Sequence, residues 1–259
     1  MNTHRAPALL RTHVGLTYLF LYLPIVVLVL FSFSASRYAA VWSGFTVDWY
    51  LKLLHNQRIL DVLVNSLIVA SVATLIATLL GTAAAFALSR LRFRGSASVE
   101  SLTALPIVMP ELVQGIALLL LFTLVLPIRL GLATIVIAHA VFGIAYVALI
   151  VRARLDGLDP HLEEAARDLG ASARQTFFRV TLPLIMPGVI GGALLAFTLS
   201  FDDFVITFFV TGPGASTLPI EIYSMVKRGV TPEINALATL ILLVSVVLIG
   251  IAQWLQHRR

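Results

Sequence analysis

The chain has 259 residues, of which 59% are apolar and only 12% charged, with a mean hydropathy of +0.97. Soluble domains carry roughly 45–50% apolar and about 25% charged residues, so this chain has too few polar groups to wet the outside of a core. That excludes a soluble domain, a disordered chain and a coiled coil, and reads as an integral membrane protein. The net charge of +5 does not point to nucleic acid, because Lys and Arg are scattered between apolar runs rather than gathered on one face. With no cysteine in the chain, disulfides, zinc–thiolate sites and thiol nucleophiles are removed as well.

A helix needs about 20 apolar residues to cross roughly 30 Å of hydrocarbon. Six stretches satisfy this, at about 14–34, 63–88, 102–126, 130–151, 184–207 and 235–255. The first follows Arg5 and Arg11 and precedes Ser34-Ala35-Ser36, as a cleaved signal peptide would. Its apolar core is longer than the about 7–15 residues of a secretory signal, which favours a retained span. The second is followed by Arg90, Arg92 and Arg94. In the third, Pro106 and Pro110 interrupt the pattern, and Glu111 lies ~14 Å from the inner end at 1.5 Å per residue. The fourth contains His139, the one histidine placed within a span and better suited to a helix-packing hydrogen bond than to a metal.

The fifth stretch starts near Pro187 and carries Gly188, Gly192 and Ala196, a small-residue spacing that lets a neighbouring backbone approach. Its outer end carries Asp202 and Asp203. Segments 1–13, 89–101, 152–183 and 256–259 together hold about twice the Lys and Arg of segments 35–62, 127–129 and 208–234. That bias places both termini in the cytoplasm. No internal repeat divides the chain, so one all-α membrane domain over 1–259 is expected.

The sequence holds no H-E-x-x-H, G-x-S-x-G or G-x-x-x-x-G-K-[ST] pattern. Gly212-Pro213-Gly214 lacks a following lysine and reads as a turn. A membrane enzyme is therefore disfavoured, and any nucleotide that drives uphill work binds another chain.

The inner loop 152–183 is unlike the others. It balances five basic against five acidic residues with apolar residues between them, as folded helix does. Asp159-Pro160 supplies a cap and a first-turn proline, with Glu163 and Glu164 near the positive end of the helix dipole. Leu162, Ala165, Ala166 and Leu169 form an apolar stripe, and Gly170 stops the helix. Ser172 with Gln175 makes a capping box that opens a second short helix through about Arg179, and Pro183 ends the excursion.

Within this loop, Glu164-Ala165-Ala166, then Gly170, then Val180-Thr181-Leu182-Pro183 resembles the E-A-A-x3-G-x9-I-x-L-P loop of ABC importer permeases. The one departure is Val180 in place of isoleucine. A narrower resemblance covers about 160–240. Leu199 to Asp203, Phe209 to Pro213, Leu218-Pro219 with Ile222 to Lys227, and Pro232-Glu233 with Asn235 to Thr239 are similar to the second permease subunit of spermidine/putrescine importers.

The resemblance implies a type I importer permease fold with six transmembrane helices and a coupling helix at Gly170, Ala171 and Ser172. That helix would lie in a groove of an ATP-hydrolysing subunit. It further implies a bacterial inner-membrane location, a second non-identical permease, two ATP-binding subunits and an external substrate-binding protein. No cofactor is expected on this chain, since ATP and magnesium would sit on the partner ATPase.

The acids give this cargo class separate support. Glu111, Asp202 and Asp203 have no Lys or Arg within the spans to pair with, and unpaired acids are costly in a membrane unless they face water or a partner. A cationic cargo answers that requirement, with Phe201, Phe204 and Phe208 adding cation–π contact of about 0.5–2 kcal/mol each. The alternative is that the acids bond Ser, Thr or backbone at helix ends, or pair with the partner permease. Successive helical positions diverge by about 100°, so one aspartate is expected to face the path. Asp202 is favoured because it shares a face with Leu195, Thr198 and the Gly188–Gly192 region. Rival readings are a permease for another solute, such as an amino-acid derivative or a ferric ion, and an ion-coupled carrier. The carrier would have no use for an ATPase-docking pattern.

Overall fold

The computed structural model describes residues 8–38, 41–90, 94–159 and 161–257. Arg5, Arg92 and Pro160, used in the reading above, lie outside them. In chain order the helices are α1 (Ala8–Phe31), α2 (Asp48–His55), α3 (Gln57–Arg90), α4 (Ser96–Val108), α5 (Glu111–Leu120) and α6 (Leu132–Asp156). They continue with α7 (His161–Asp168), α8 (Ala173–Thr176), α9 (Leu182–Asp202), α10 (Val205–Val210), α11 (Leu218–Arg228) and α12 (Pro232–His257). Among the described residues no strand forms, and one isolated bridge joins Ser34 to Phe45.

Four described helical stretches are long and apolar enough to cross a membrane: Leu9–Phe31, Gln57–Arg90, Leu132–Asp156 and Ala173–Asp202. A fifth is the bent pair α4 and α5. The sixth expected span, 235–255, falls within α12.

The third and fifth spans depart from the continuous helices expected of them. The third breaks between Val108 and Glu111 with a bend of 116°. Met109 precedes Pro110, and the proline ring pushes it out of the helical region to φ −73°, ψ 139°. The fifth starts earlier and ends sooner than 184–207. Helix runs unbroken from Ala173, through a π turn at Phe177–Thr181, to Asp202, where the chain breaks before α10. Pro183 therefore does not end the loop, as the sequence suggested. A proline lacks an N–H and crowds the carbonyl four residues back. The π turn, in which Leu182 N–H reaches Phe177 O, widens the helix just ahead of it.

The helices form two compact units, residues 1–60 with 222–259, and residues 61–221. In the first unit, Trp49 Nε1 donates to Ser34 O at 2.8 Å, Phe33 stacks on Phe45 at 5.3 Å, and Asn56 Nδ2 donates to Glu233 Oε1 at 3.2 Å. Helix α1 leaves its apolar side chains, such as Leu19 and Phe20, exposed.

The second unit is built around α6, which is apolar on all sides and buried on most of them, as a helix surrounded by others must be. At one end of α6, Ile135, Ala138 and Phe142 pack with Val69, Phe122, Ile206 and Val210. At the other end, Val147, Val151 and Leu155 pack with Ala77, Ala85, Ile185 and Ala196. The small residues of α9 make this contact close. A Cβ on Gly192 would sit 3.3 Å from the Val147 Cα, and one on Gly188 would sit 3.0 Å from the Arg154 Cβ.

Candidate functional site

In the second unit the two helix breaks meet at a cavity of about 290 Å³. Its wall includes Glu111 and Gln114 from α5, Phe142 and Tyr146 from α6, Thr198 and Asp202 from α9, and Asp203 to Ile206 from the second break. All three acids singled out from the sequence thus reach one cavity, but in different states.

Glu111 is the first residue of α5, where unsatisfied N–H groups and the helix dipole favour a negative charge. The break beside it leaves carbonyls without helical partners. Gln114 repairs this, donating from Nε2 to Pro106 O at 2.8 Å and to Met109 O at 2.9 Å. Glu111 itself is exposed to the cavity. Asp202 is likewise exposed at the last turn of α9. Its face, with Thr198 and Leu195, is the open side of α9. The close-packed side is Gly192, Ala196 and Ser200. The expected sharing of a face with the glycine-packed region is thereby corrected. A helix presents adjacent stripes about 100° apart, and α6 takes the stripe that ends at Asp203.

The Asp203 carboxylate is turned inward, with its side chain only 6% exposed. It accepts from Thr207 N–H at 2.8 Å, Thr207 Oγ1 at 2.7 Å and Ile206 N–H at 3.3 Å, closing the start of α10. His139 Nε2 lies 3.2 Å from Asp203 Oδ2 and 2.9 Å from Thr207 Oγ1. Since the Thr207 hydroxyl donates to Asp203, its oxygen is left to accept, so Nε2 carries the proton shared between them. His139 Nδ1 meets Ser200 Oγ at 2.7 Å. Helix packing by hydrogen bonds is what the sequence favoured for His139. What it missed was the partner of Asp203, because a search for Lys and Arg passes over a histidine 64 residues away. Phe201 does not line the cavity; it stacks on Phe197 at 6.1 Å, and Phe204 takes the wall position. The role of Gln114 was also unread, although its place three residues after Glu111 puts it one helical turn from the break.

The inner loop carries the second set of candidate residues. Asp159 Oδ1 accepts from His161 N–H at 3.0 Å, which starts α7. Gly170 has φ +86°, Gly170 N–H bonds Arg167 O at 2.9 Å, and Ala171 N–H bonds Ala166 O at 3.0 Å. This pair of bonds is a Schellman stop, which requires a left-handed residue at Gly170. Ser172 and Gln175 then exchange bonds of 3.3 Å and 2.8 Å, the capping box expected there. No residue of α7 is buried, Ala171 and Val180 are half-buried, and Leu169 is 89% exposed. Glu164, Ala165 and Ser172 are also exposed, Ala166 and Leu182 are half-buried, and Pro183 is exposed at the start of α9. Glu164 pairs with His161 at 3.0 Å, and that hydrogen bond, with the charges of Asp159 and Glu164, raises the His161 pKa above 6.5.

Comparison with known proteins matches residues 77–259 to the family described as "binding-protein-dependent transport system inner membrane component". The putrescine transport system permease protein PotI of Escherichia coli (strain K12) is 47% identical over 245 residues, 92% of this chain and 87% of that protein. The spermidine/putrescine transport system permease protein PotC of the same strain is 44% identical over 91% of this chain and 89% of its own length. PotC of Haemophilus influenzae is 40% identical over 93% of each. Among solved structures, a bacterial ABC transporter involved in the import of the acidic polysaccharide alginate matches with a TM-score of 0.71 at 17% identity, over 95% of this chain and 94% of that one. An amino acid ABC transporter with histidines matches at 0.62 and 21% identity, over 83% of this chain and all of that one. At those identities the likeness shows the fold alone. The chain belongs to the inner-membrane components of binding-protein-dependent transport systems, and is a permease subunit of an ABC importer.

Proposed function

We propose that this permease moves a small organic cation of the polyamine class, putrescine or spermidine, into the cytoplasm. It works beside a second, non-identical permease, with an external binding protein delivering the cargo. Two ATP-binding subunits hold the ATP and magnesium and dock beneath the loop of α7 and α8, and both termini of this chain lie in the cytoplasm. The polyamine permeases at 40–47% identity support the cargo class. The exposed Leu162 and Leu169 support a docked partner under the loop.

The observation that carries the reading is the state of the acids around the cavity. Glu111 and Asp202 have no internal hydrogen bond or ion pair among the described residues, while Asp203 is fully engaged. Two open carboxylates beside Phe142, Leu199 and Val205 suit a chain with ammonium groups at its ends and methylenes between them. Phe204 adds an aromatic ring to the same wall, a side chain that suits an ammonium group. Asp203 acts through the wall: its bonds fix the break that presents Asp202.

Initial uptake of radiolabelled putrescine and spermidine by the assembled complex in vesicles tests this. Asp202→Asn and Glu111→Gln each remove a charge at constant size. Loss of a charge-assisted contact of about 1.5–3 kcal/mol lowers uptake by roughly tenfold or more. Asp203→Asn is expected to reduce the amount of assembled complex instead. Parental uptake by both Asp202→Asn and Glu111→Gln overturns the cation path, and uptake of amino acids in place of polyamines overturns the cargo class.

A further inference from the structure

The loop has one inward tie that neither the sequence motif nor the cavity accounts for. Glu163, on α7, is 15% exposed, whereas its neighbour Glu164 is 65% exposed and pairs outward with His161. Glu163 Oε1 accepts from Arg90 Nη2 at 3.1 Å and from Thr181 Oγ1 at 3.0 Å. Arg90 is the last residue of α3, and Thr181 is the buried last residue of the π turn that opens α9. Phe86 meets Phe177 edge-on at 5.0 Å, so α3 touches the same turn a second time.

We propose that Glu163 is the positioning residue through which movement of the cytoplasmic loop reaches the cavity, by clamping α7 to the bases of α9 and α3. The proposal rests on the reading that the loop docks on the ATP-binding subunits. Three features carry it. No residue of α7 is fully buried, and Glu163 links the helix directly to both α3 and α9. From Thr181 the chain continues as unbroken helix to Asp202, a length of ~31 Å at 1.5 Å per residue. A displacement taken up at Thr181 is thus carried along a stiff rod to a carboxylate on the cavity wall. The clamped end is itself a π turn, a rare irregularity of helices found frequently at functional sites. Finally, Arg90 Nε is buried with no hydrogen-bond partner among the described residues. A partly buried ion pair is weak evidence for stability, which leaves a positioning role for this one.

The test uses the complete complex in vesicles and counts solute imported per ATP hydrolysed. Glu163→Ala removes both contacts and is expected to lower that ratio about fivefold or more, the lower end of the range for coupling between two sites. Glu163→Gln keeps an acceptor for Thr181 and restores part of the ratio, which a purely structural loss would not show. Thr181→Val deletes the hydroxyl at constant volume and lowers the ratio in the same direction. A parental ratio in Glu163→Ala overturns the proposal. If that variant does not assemble, a parental ratio in Thr181→Val overturns it alone. Cysteine in place of Ser172, cross-linked to the ATP-binding subunit, reads docking separately. Absence of the cross-link in the otherwise parental chain overturns the docking reading and this proposal with it. An intact cross-link with a parental ratio overturns only the proposal.

Discussion

A carboxylate in a membrane protein is tolerated where it faces water or finds donors, and Asp202 and Asp203 take one route each. Asp203 finds two backbone N–H groups, a hydroxyl and a buried imidazole, while its neighbour opens onto the cavity. The same contrast recurs outside the membrane, where Glu163 turns in and Glu164 turns out toward His161. His161 gives a pH-dependent expectation. Its pKa is raised above 6.5, chiefly by the hydrogen bond to Glu164. The pair therefore supports the first turn of α7 fully below the unfolded value of 6.5, and that support is lost as pH rises through the folded value. NMR titration of labelled histidine should place His161 above 6.5, and Glu164→Gln should bring it back down. A parental His161 that titrates at 6.5 would contradict the pair.

At the scale of elements, Pro110 and Pro183 are accommodated in different ways. Pro110 sets the bend between α4 and α5, and the Gln114 amide takes up the freed carbonyls. Pro183 is absorbed by the π turn, which leaves α8 and α9 continuous. The turn between α7 and α8 depends on glycine for its backbone alone: Gly170 has φ +86°, and a Cβ there would meet nothing within 4 Å. A side chain costs about 1–2 kcal/mol in that conformation, less for Asn, which visits it more readily. Uptake should fall in the order parent, Gly170→Asn, Gly170→Val, with all three assembling in the membrane. Equal uptake by all three would show that the turn geometry is not needed for transport.

For the molecule as a whole, the proposed topology of six crossings with both ends inside makes a labelling prediction that the absence of cysteine renders simple. Pro213 sits on the turn between α10 and α11, on the expected outer side, and Ser98 lies in the first turn of α4, on the expected inner side; both are exposed. These positions avoid the neighbouring Gly214 and Gly95, whose φ values of +79° and +95° would strain a new side chain. Cysteine at Pro213 should react with an impermeant maleimide in intact cells, and cysteine at Ser98 only after lysis. Labelling of Ser98→Cys from outside would reverse the orientation.

Composition alone settled that this is a helical membrane protein, because hydrocarbon demands long apolar runs with every backbone group bonded internally. The caps and stop of the inner loop were equally readable, though not its continuation into α9. Its caps at Asp159, its stop at Gly170 and its box at Ser172 and Gln175 are local interactions within a few residues of each other, so spacing specifies them. Other features join residues far apart in the chain, and no local pattern could show them. His139 lies 64 residues from the Asp203 that it holds, and Glu163 lies 73 from Arg90. Sequence identified Glu111, Asp202 and Asp203 as costly acids in apolar surroundings. Only the packing of α6 against one stripe of α9, together with the two helix breaks, decided which carboxylates stay open to the cavity and which is consumed in holding its wall.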